Sequence, residues 1–334
     1  MIILGIETSC DDTAAAVVKD GKDIISNIIS SQHVFHTKYG GIVPEIASRK
    51  HQENIIPVIQ EALLQARMTL HDIQGIAVTR GPGLIGSLLV GINVAKAIAY
   101  SQKLPLVGIN HLEGHLLAPF LEHEIPFPNI TLVVSGGHTN LYHVGSFDVY
   151  KSLGKTRDDA AGEAYDKVAK LLGLGYPGGI TLDRLAQTGN PSAIAFPRPM
   201  LHDKSFDFSF SGLKTAVLYH VKNNCPGAVP ESAMPDIAAS FQAAVVEILV
   251  EKTLRAARHY QVSAITLAGG VAANSLLRSK MHERAAEENI AVFLPSPVLC
   301  TDNAAMIARA GEHRIASIKE FPFGMNAVSR WPIA

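Results

Sequence analysis

The sequence is poor in cysteine, tryptophan and charged residues. Its 334 residues include three cysteines and one tryptophan, and charged residues make up 18%. Cys10, Cys225 and Cys300 form no Cys-x-x-Cys pair, so they do not indicate a disulfide framework and favour a reducing compartment. The low charged fraction argues against a disordered or coiled-coil chain. Hydrophobic residues make up 47%, enough for a core in each half, and the length is typical of two lobes.

The sequence pattern also has no basic excess, and it predicts neither a signal peptide nor a membrane span. Lys+Arg 29 against Asp+Glu 30 gives a net charge of -1, whereas proteins that bind nucleic acid unaided are usually more basic. Any such binding therefore requires a local patch or a partner. Residues 1–7 have no basic n-region, so we expect no signal peptide. The apolar run 84–100 is interrupted by Ser87, Asn93 and Lys96, which predicts a buried helix.

A β-meander pattern occurs twice in the chain. In each copy a short apolar strand breaks into a polar or glycine-rich loop and then continues as two more strands. Alternating helix and strand patterns follow the first copy, which predicts an α/β architecture. The repetition predicts two similar lobes whose loops face each other across a cleft. The predicted strands lie at 2–6, 14–18 and 24–29, and at 130–134, 140–144 and 149–153.

Two histidines stand four residues apart in Asn-His-Leu-Glu-Gly-His. On a helix this spacing puts His111 and His115 on one face, where both can reach a metal ion, although core or capping histidines share it. Asp302, in a polar loop after the last predicted strand, is either a third ligand or a helix cap. The pattern is not His-Glu-x-x-His, because Glu113 comes two residues after His111 and points away from the ion. A metalloprotease is therefore a poor interpretation.

Three loops have the composition of a ligand cradle. Residues 7–13 combine hydroxyls and carboxylates, which suits phosphate or a hydrated cation but also an ordinary polar turn. Residues 135–138, Ser-Gly-Gly-His, follow an apolar strand and offer backbone N–H groups to an anion. Gly269 and Gly270 end a strand before a helix that begins near Asn274. Together the loops predict a nucleotide held between two lobes.

Motifs along nearly the whole chain resemble one family, the tRNA threonylcarbamoyladenosine transferases. Bacterial members are called TsaD, formerly Gcp or YgjD, and were once described as O-sialoglycoprotein endopeptidases. No functional motif departs from the family pattern, and Tyr165, where Phe is frequent, is a minor difference. The motifs are GIETSCDDT from Gly5, GGIVPEIASR from Gly40, TRGPGLIGSLLVG from Thr79, NHLEGH from Asn110, VSGGHT from Val134, DDAAGEAYDK from Asp158, GYPGG from Gly175, FSFSGLKTA from Phe208, GGVAAN from Gly269 and TDNAAMIA from Thr301.

The resemblance implies an ASKHA (actin/Hsp70/sugar-kinase-like) fold with two duplicated lobes around a nucleotide cleft. On it we expect an N-terminal lobe of residues 1–109 with about 303–334, and a C-terminal lobe of residues 110–302 carrying the metal and adenylate loops. It also implies a cytoplasmic acyltransferase. Such an enzyme moves threonylcarbamoyl from threonylcarbamoyl-AMP to N6 of adenosine 37 in tRNAs that read codons beginning with A, and releases AMP.

The resemblance carries over a metal site and a substrate site. It implies one divalent ion per subunit, with Fe²⁺ the usual assignment and zinc or magnesium as alternatives. The implied metal ligands are His111, His115 and Asp302. No residue stands out as the catalytic base, and Asp11 and Asp12 are the candidates. The implied substrate-binding residues are Val134, Ser135, Gly136, Gly137, His138, Asp166, Gly179, Asp183 and Asn274.

The resemblance also implies partners. Besides tRNA and threonylcarbamoyl-AMP, these are a smaller inactive paralogue of the same fold (TsaB-like) and a P-loop ATPase (TsaE-like), and no membrane is involved. The small-residue helix at 84–100 is the expected pairing surface for the paralogue, with Gly86→Arg as its probe. Two other function classes fit the pattern. One is a small-molecule kinase of the same fold, and the other is a non-catalytic nucleotide-binding scaffold.

Overall fold

The computed structural model describes residues 1–225, 227–315, 318 and 324–333. By its internal contacts the chain divides into two units. Unit 1 comprises Met1–Glu124 and Thr301–Ala334, and unit 2 comprises Ile125–Cys300. Each unit has its own sheet and its own buried apolar cluster.

The strands of the described chain form two five-stranded sheets. They are β1 (Ile2–Glu7), β2 (Asp12–Lys19), β3 (Asp23–Ser31), β4 (Gly75–Gly81), β5 (Leu106–Asn110), β6 (Asn129–Val134), β7 (Thr139–Ser146), β8 (Val149–Lys155), β9 (Ala264–Ala268) and β10 (Ala291–Phe293). The sheet of unit 1 has the order β3-β2-β1-β4-β5, and that of unit 2 has the equivalent order β8-β7-β6-β9-β10. In each, an antiparallel meander is extended by two parallel strands, so the predicted duplication is confirmed.

Helices connect and cover these strands. They are α1 (His33–Thr37), α2 (Pro44–Ala66), α3 (Ile85–Gln102), α4 (His111–Leu117), α5 (Ala161–Leu171), α6 (Gly179–Ala186), α7 (Ser211–Asn224), α8 (Met234–Tyr260), α9 (Ser275–Ala286), α10 (Pro297–Cys300) and α11 (Ala304–Ile315). Short 3-10 turns occupy Leu70–Asp72, Ala118–Leu121 and Gly270–Ala273. Among the described helices, none combines the length and the apolar character that a bilayer span requires.

The unit boundaries differ from those expected from the sequence. They fall at 124/125 and 300/301 rather than at 109/110 and 302/303. The physical reason is that α4 continues directly from β5 and packs against α11. A side chain at Gly114 of α4 would come within 2.8 Å of Ile307 Cδ1 on α11. The histidine pair and Asp302 therefore belong to unit 1.

The small residues of α3 serve packing inside unit 1. A Cβ atom at Gly86 would overlap the Ser48 hydroxyl of α2, and one at Gly91 would overlap the Thr8 hydroxyl that follows β1. Close approach of helix and sheet is therefore the reason for these glycines. Gly86→Arg would disrupt unit 1 itself, so it is not a specific probe of a partner surface.

Candidate functional site

The first group of candidate residues begins where β5 turns into α4. Asn110 ends the strand, and its Oδ1 accepts a hydrogen bond from Leu112 N at 2.9 Å, which caps the helix. His111 and His115 follow one turn apart, as their spacing predicts, and both are buried. Their ring centroids lie 4.7 Å apart with an edge-to-face arrangement. The helix thus holds both imidazoles side by side.

Asp302 joins the histidines from the other end of unit 1. Its Oδ1 lies 3.2 Å from His115 Nε2 and 3.5 Å from His111 Nε2. One ligand atom from each of the three residues lies within 4.8 Å of the others. Two imidazoles and one carboxylate form the facial set that suits a divalent transition metal and leaves coordination positions open. The structure therefore brings the three predicted ligands together.

The carboxylate of Glu7 orients His111, and the sequence analysis did not predict this role. This carboxylate is fully buried at the end of β1. Its Oε2 accepts from Thr79 Oγ1 at 2.6 Å and from His111 Nδ1 at 3.0 Å, and Ser9 N donates to its Oε1. A carboxylate on the far nitrogen fixes the tautomer and leaves Nε2 free to ligate. The available signal was a carboxylate that closes an otherwise apolar strand.

The local charge distribution suits a cation. Burial alone would lower the pKa of His111, but the Asp302 and Glu7 carboxylates outweigh it and raise that pKa to about 9. Burial would likewise raise the pKa of Glu7, and His111 instead lowers it. In the described part of the chain, the buried Nδ1 atom of His115 has no hydrogen-bond partner. The donor set and its excess of negative charge fit one divalent ion.

Glu113 takes no part in this group. Its Oε1 accepts from Arg314 Nε at 3.1 Å and from Arg314 Nη2 at 2.7 Å, on the side of α4 that faces α11. The expectation that it points away from the ligands is confirmed. Glu113 is therefore not in the position that the base of a His-Glu-x-x-His metalloprotease occupies.

The two candidate bases lie in the loop between β1 and β2. Asp12 has one buried carboxylate oxygen without a hydrogen-bond partner among the described residues, whereas Asp11 Oδ2 lies 3.5 Å from His33 Nδ1. Burial, Asp302 and Asp11 raise the pKa of Asp12 to about 7. A carboxylate with such a pKa can accept and return a proton near neutral pH. Asp12 therefore has the acidity expected of a general base.

His51 fastens this loop to α2. The helical periodicity predicts it on the polar side of α2, but it is fully buried. Thr13 Oγ1 donates to His51 Nδ1 at 2.8 Å, and His51 Nε2 donates to the Cys10 carbonyl at 3.0 Å. Burial lowers the pKa of His51, so the ring is neutral and its tautomer is fixed by these two partners. The prediction of a polar-face residue was wrong because the loop, and not solvent, covers this histidine.

The glycine loop after β6 belongs to unit 2. Ser135 N donates to the His138 carbonyl at 2.8 Å, and His138 N donates to Ser135 Oγ at 3.2 Å, so the loop is a closed turn. The amides of Gly136 and Gly137 have no acceptor among the described residues, and a Cβ atom at either position would meet nothing there within 4 Å. Packing therefore does not require these glycines, whereas a ligand close to the backbone would. Val134, the first residue of the predicted set, is the buried end of β6.

Asp166 is bonded to the turn that precedes Gly179, the first residue of α6. Asp166 Oδ1 accepts from Gly178 N at 2.8 Å, which ties α5 to the turn before α6. A Cβ at Gly178 would overlap Ala169, whereas one at Gly179 would meet nothing within 4 Å in the described chain. Of the two glycines, Gly178 is needed for packing and Gly179 borders open space.

Asp183 and Asn274 are joined through a residue that the sequence reasoning did not single out. Gln242 of α8 donates from Nε2 to Asp183 Oδ1 at 2.9 Å and accepts from Asn274 Nδ2 at 2.9 Å. Asn274 also caps α9, because its Oδ1 accepts from Leu277 N at 3.0 Å. The predicted substrate residues of unit 2 thus form a loop, a turn and a buried network.

Comparison with known proteins identifies the relatives of this chain. The model of the family TsaD, tRNA N6-adenosine threonylcarbamoyltransferase, matches residues 23–309. A protein of that name from Syntrophus aciditrophicus is 59% identical over 334 residues, covering 100% of this chain and 98% of its own. Another, from Syntrophotalea carbinolica, is 56% identical over 333 residues, covering 100% and 97%. These names support neither the kinase nor the scaffold alternative.

Solved structures share the fold at low identity. HypF of T. kodakarensis matches with a TM-score of 0.62 and 16% identity, over 95% of this chain and 48% of its own. Component A of the (R)-2-hydroxyglutaryl-CoA dehydratase of Acidaminococcus fermentans matches with a TM-score of 0.57 and 17% identity, over 95% and 99%. Both are ASKHA-like proteins, which confirms the predicted fold class. At this identity the likeness concerns the fold alone.

Proposed function

Because the chain belongs to the tRNA N6-adenosine threonylcarbamoyltransferase family, we propose that threonylcarbamoyl-AMP is its donor substrate. The chain is a transferase of tRNA N6-threonylcarbamoyladenosine (t6A) biosynthesis. The acceptor is N6 of adenosine 37 in tRNAs that read codons beginning with A, and AMP is released. The observation that carries this proposal is the convergence of His111, His115 and Asp302 within a chain whose full-length relatives carry this name.

The proposed ion is Fe²⁺, held by these three side chains. Two neutral imidazoles and one carboxylate suit ferrous iron better than magnesium, which prefers oxygen ligands, while zinc remains compatible with the same donors. When bound, such an ion supplies positive charge that stabilises a phosphate leaving group. Glu7 keeps His111 in the ligating tautomer, and Asn110 fixes the first turn of α4.

The residues of unit 2 are proposed to bind the adenylate. The amides of Gly136 and Gly137 donate to an anionic oxygen, since they have no acceptor among the described residues. Asp166 and Asp183 hold polar groups of the ribose or the threonyl moiety. Asn274 and the turn before it border the nucleoside, where glycines let a base approach the backbone. Such fixed donors orient the carbamoyl carbon for attack.

The reaction exchanges one bond for another. A bond forms between N6 of adenosine and the carbamoyl carbon, and the bond from that carbon to the phosphate oxygen breaks. AMP leaves with the electron pair of the broken bond, and N6 loses one proton. Asp12 is the proposed acceptor of that proton, because burial raises the pKa of its carboxyl group and so makes its carboxylate a stronger base.

The proposed setting is the cytoplasm, with tRNA binding shared among partners. The net charge of -1 gives the chain no general attraction for a polyanion. On the family resemblance, a smaller paralogue of the same fold and a P-loop ATPase are the proposed partners. The chain has three cysteines and all of them are free thiols, which is consistent with a reducing cytoplasm.

The test is a reconstitution with purified protein, partners, tRNA and threonylcarbamoyl-AMP. Mass spectrometry of the tRNA nucleosides should detect t6A, and chromatography should detect one AMP for each t6A. We expect a His111→Ala, His115→Ala double variant to abolish both products, with the exposed His282→Ala as the control. Full activity of the double variant would refute the metal site, and a wild-type reaction that forms no t6A and releases no tRNA-dependent AMP would refute the donor.

A further inference from the structure

We infer that Gln242 is a positioning residue that holds Asp183 and Asn274 in the arrangement needed to bind the nucleoside. The inference rests on the proposed function, because those two residues are taken to contact the adenylate. Gln242 itself lies on α8, is 2% exposed and belongs to no sequence motif quoted above. It acts through its neighbours and does not touch substrate.

The geometry shows one amide joining two helices. Gln242 Nε2 donates to Asp183 Oδ1 on α6, and Gln242 Oε1 accepts from Asn274 Nδ2 at the start of α9, both at 2.9 Å. These contacts use the donor end and the acceptor end of a single side chain. Of the natural side chains of this length, glutamine offers both at neutral pH without a charge.

The remaining polar atoms of the two partners are also engaged. Asp183 Oδ1 accepts from Ser275 Oγ at 2.8 Å, and Asp183 Oδ2 accepts from Ser275 N at 3.1 Å. Asn274 Oδ1 caps α9, and the next acceptor near its Nδ2 is Tyr165 OH at 3.5 Å. Without Gln242, the buried Asn274 amide would lose its short acceptor and Asp183 one of its three donors.

This loss should affect ligand binding more than folding. Helices α6 and α9 remain packed in the apolar cluster of unit 2 through Leu182 and Leu277. Only the polar network loses its central bridge, so Asp183 keeps its two bonds from Ser275 but is no longer linked to the Asn274 side chain. An unsatisfied buried donor also favours rearrangement of the loop that carries it. The predicted result is weaker binding by an otherwise folded protein.

The experiment measures AMP binding by isothermal titration calorimetry. We expect Gln242→Met, which keeps the length but removes both hydrogen bonds, to weaken AMP binding about ten-fold. Ser240→Ala is the matched control, because Ser240 is buried on the same helix and bonds Ile194 N and the Asn190 carbonyl instead. It should leave AMP affinity within about two-fold, consistent with a lost contact outside the site.

A conservative variant separates positioning from simple packing. In Gln242→Glu the new carboxyl would face Asp183 in a buried site, where like charges keep one proton between them. That proton restores the donor, and the other oxygen remains the acceptor for Asn274. We therefore expect Gln242→Glu to bind AMP nearly as tightly as the wild type. Equal weakening by Met and Glu would overturn the inference.

The outcomes distinguish this inference from the proposed function. If Asp183→Asn does not weaken AMP binding, the proposed nucleoside site is wrong and the inference fails with it. If Asp183→Asn weakens binding while Gln242→Met does not, only the inference fails. If Gln242→Met does not fold, Gln242→Leu replaces it. If neither folds while Ser240→Ala does, Gln242 is a structural residue and the inference is overturned.

Discussion

Glu7→Gln is the sharpest test of how unit 1 prepares its metal ligands. The substitution keeps the size of the side chain and removes its charge. Three donors converge on the two carboxylate oxygens: Thr79 Oγ1, Ser9 N and His111 Nδ1. An amide has only one acceptor oxygen, so at least one of these donors must face its NH₂ group. The variant therefore either leaves the Ser9 amide facing the NH₂ group or makes His111 Nδ1 an acceptor, which moves the ring proton to the Nε2 atom that would ligate.

The expected loss is in metal affinity. Removal of an outer partner of a ligating histidine typically weakens metal binding 10- to 100-fold, which is about 1.4 to 2.7 kcal/mol. We expect the upper part of this range, because Glu7 is fully buried and bonds His111 at 3.0 Å. The ionised carboxylate also contributes negative charge that an exposed partner could not supply as strongly.

The assay is competition between the protein and a chromophoric chelator for Zn²⁺, repeated with Fe²⁺ under anaerobic conditions. Glu113→Gln is the matched control, because Glu113 is a buried carboxylate on α4 that pairs with Arg314 and not with a ligand. Glu113→Gln should lower stability but leave metal affinity within about two-fold. Equal affinity of Glu7→Gln and the wild type would refute the reasoning, as would an equal loss in both variants.

Three further substitutions test other parts of the structure. Burial lowers the pKa of Lys252 to about 8, so below that pH a charged amine is buried in the folded chain. Lys252→Met should therefore raise the free energy of unfolding by about 2 kcal/mol at pH 7. This gain should shrink as the pH rises from about 8 towards 10.5, because in this range Lys252 loses its proton in the folded wild type before it does so in the unfolded chain. Urea titrations at several pH values measure the change in the free energy of unfolding. Asn110→Ala removes the cap of α4 and should cost about 1 kcal/mol in urea unfolding and weaken Zn²⁺ binding. Gly162→Ala would place its Cβ 2.6 Å from the Ser135 carbonyl, so AMP titrations should show weaker binding, whereas a stability loss without that weakening would contradict the argument.

The sheets were predictable because their patterns are local. Each meander alternates short apolar runs with turn residues, and Asp20 and Gly21 both adopt positive φ at the first hairpin as their sequence suggests. The unit boundary was less predictable. It depends on α4 packing against α11, which lies almost two hundred residues later in the chain. No local pattern contains that contact.

The candidate site was predictable from the sequence where its functional side chains lie on a single helix. His111 and His115 stand on one helix, so their spacing alone brings them together. Glu7, His51 and Gln242 were not assigned, because each acts through a partner far away in sequence. A buried polar residue obtains its role from the tertiary partners that satisfy it. Sequence periodicity indicates which face of an element such a residue occupies, but it does not indicate which segment covers that face.

The duplicated topology explains why two candidate sites with opposite charge preferences arise on one chain. Glu7 ends β1 in unit 1, and Ser135 follows β6 in unit 2, which is the equivalent strand. Both positions lie at the carboxyl end of a strand with parallel neighbours, where α/β sheets bind ligands. In unit 1 the turn supplies carboxylates, so the histidines beside it can hold a cation. In unit 2 the equivalent turn, after β6, supplies the backbone amides of two glycines, which suit an anion. The turn after the first strand of each sheet thus favours a cation where it carries carboxylate side chains and an anion where glycines expose its backbone amides.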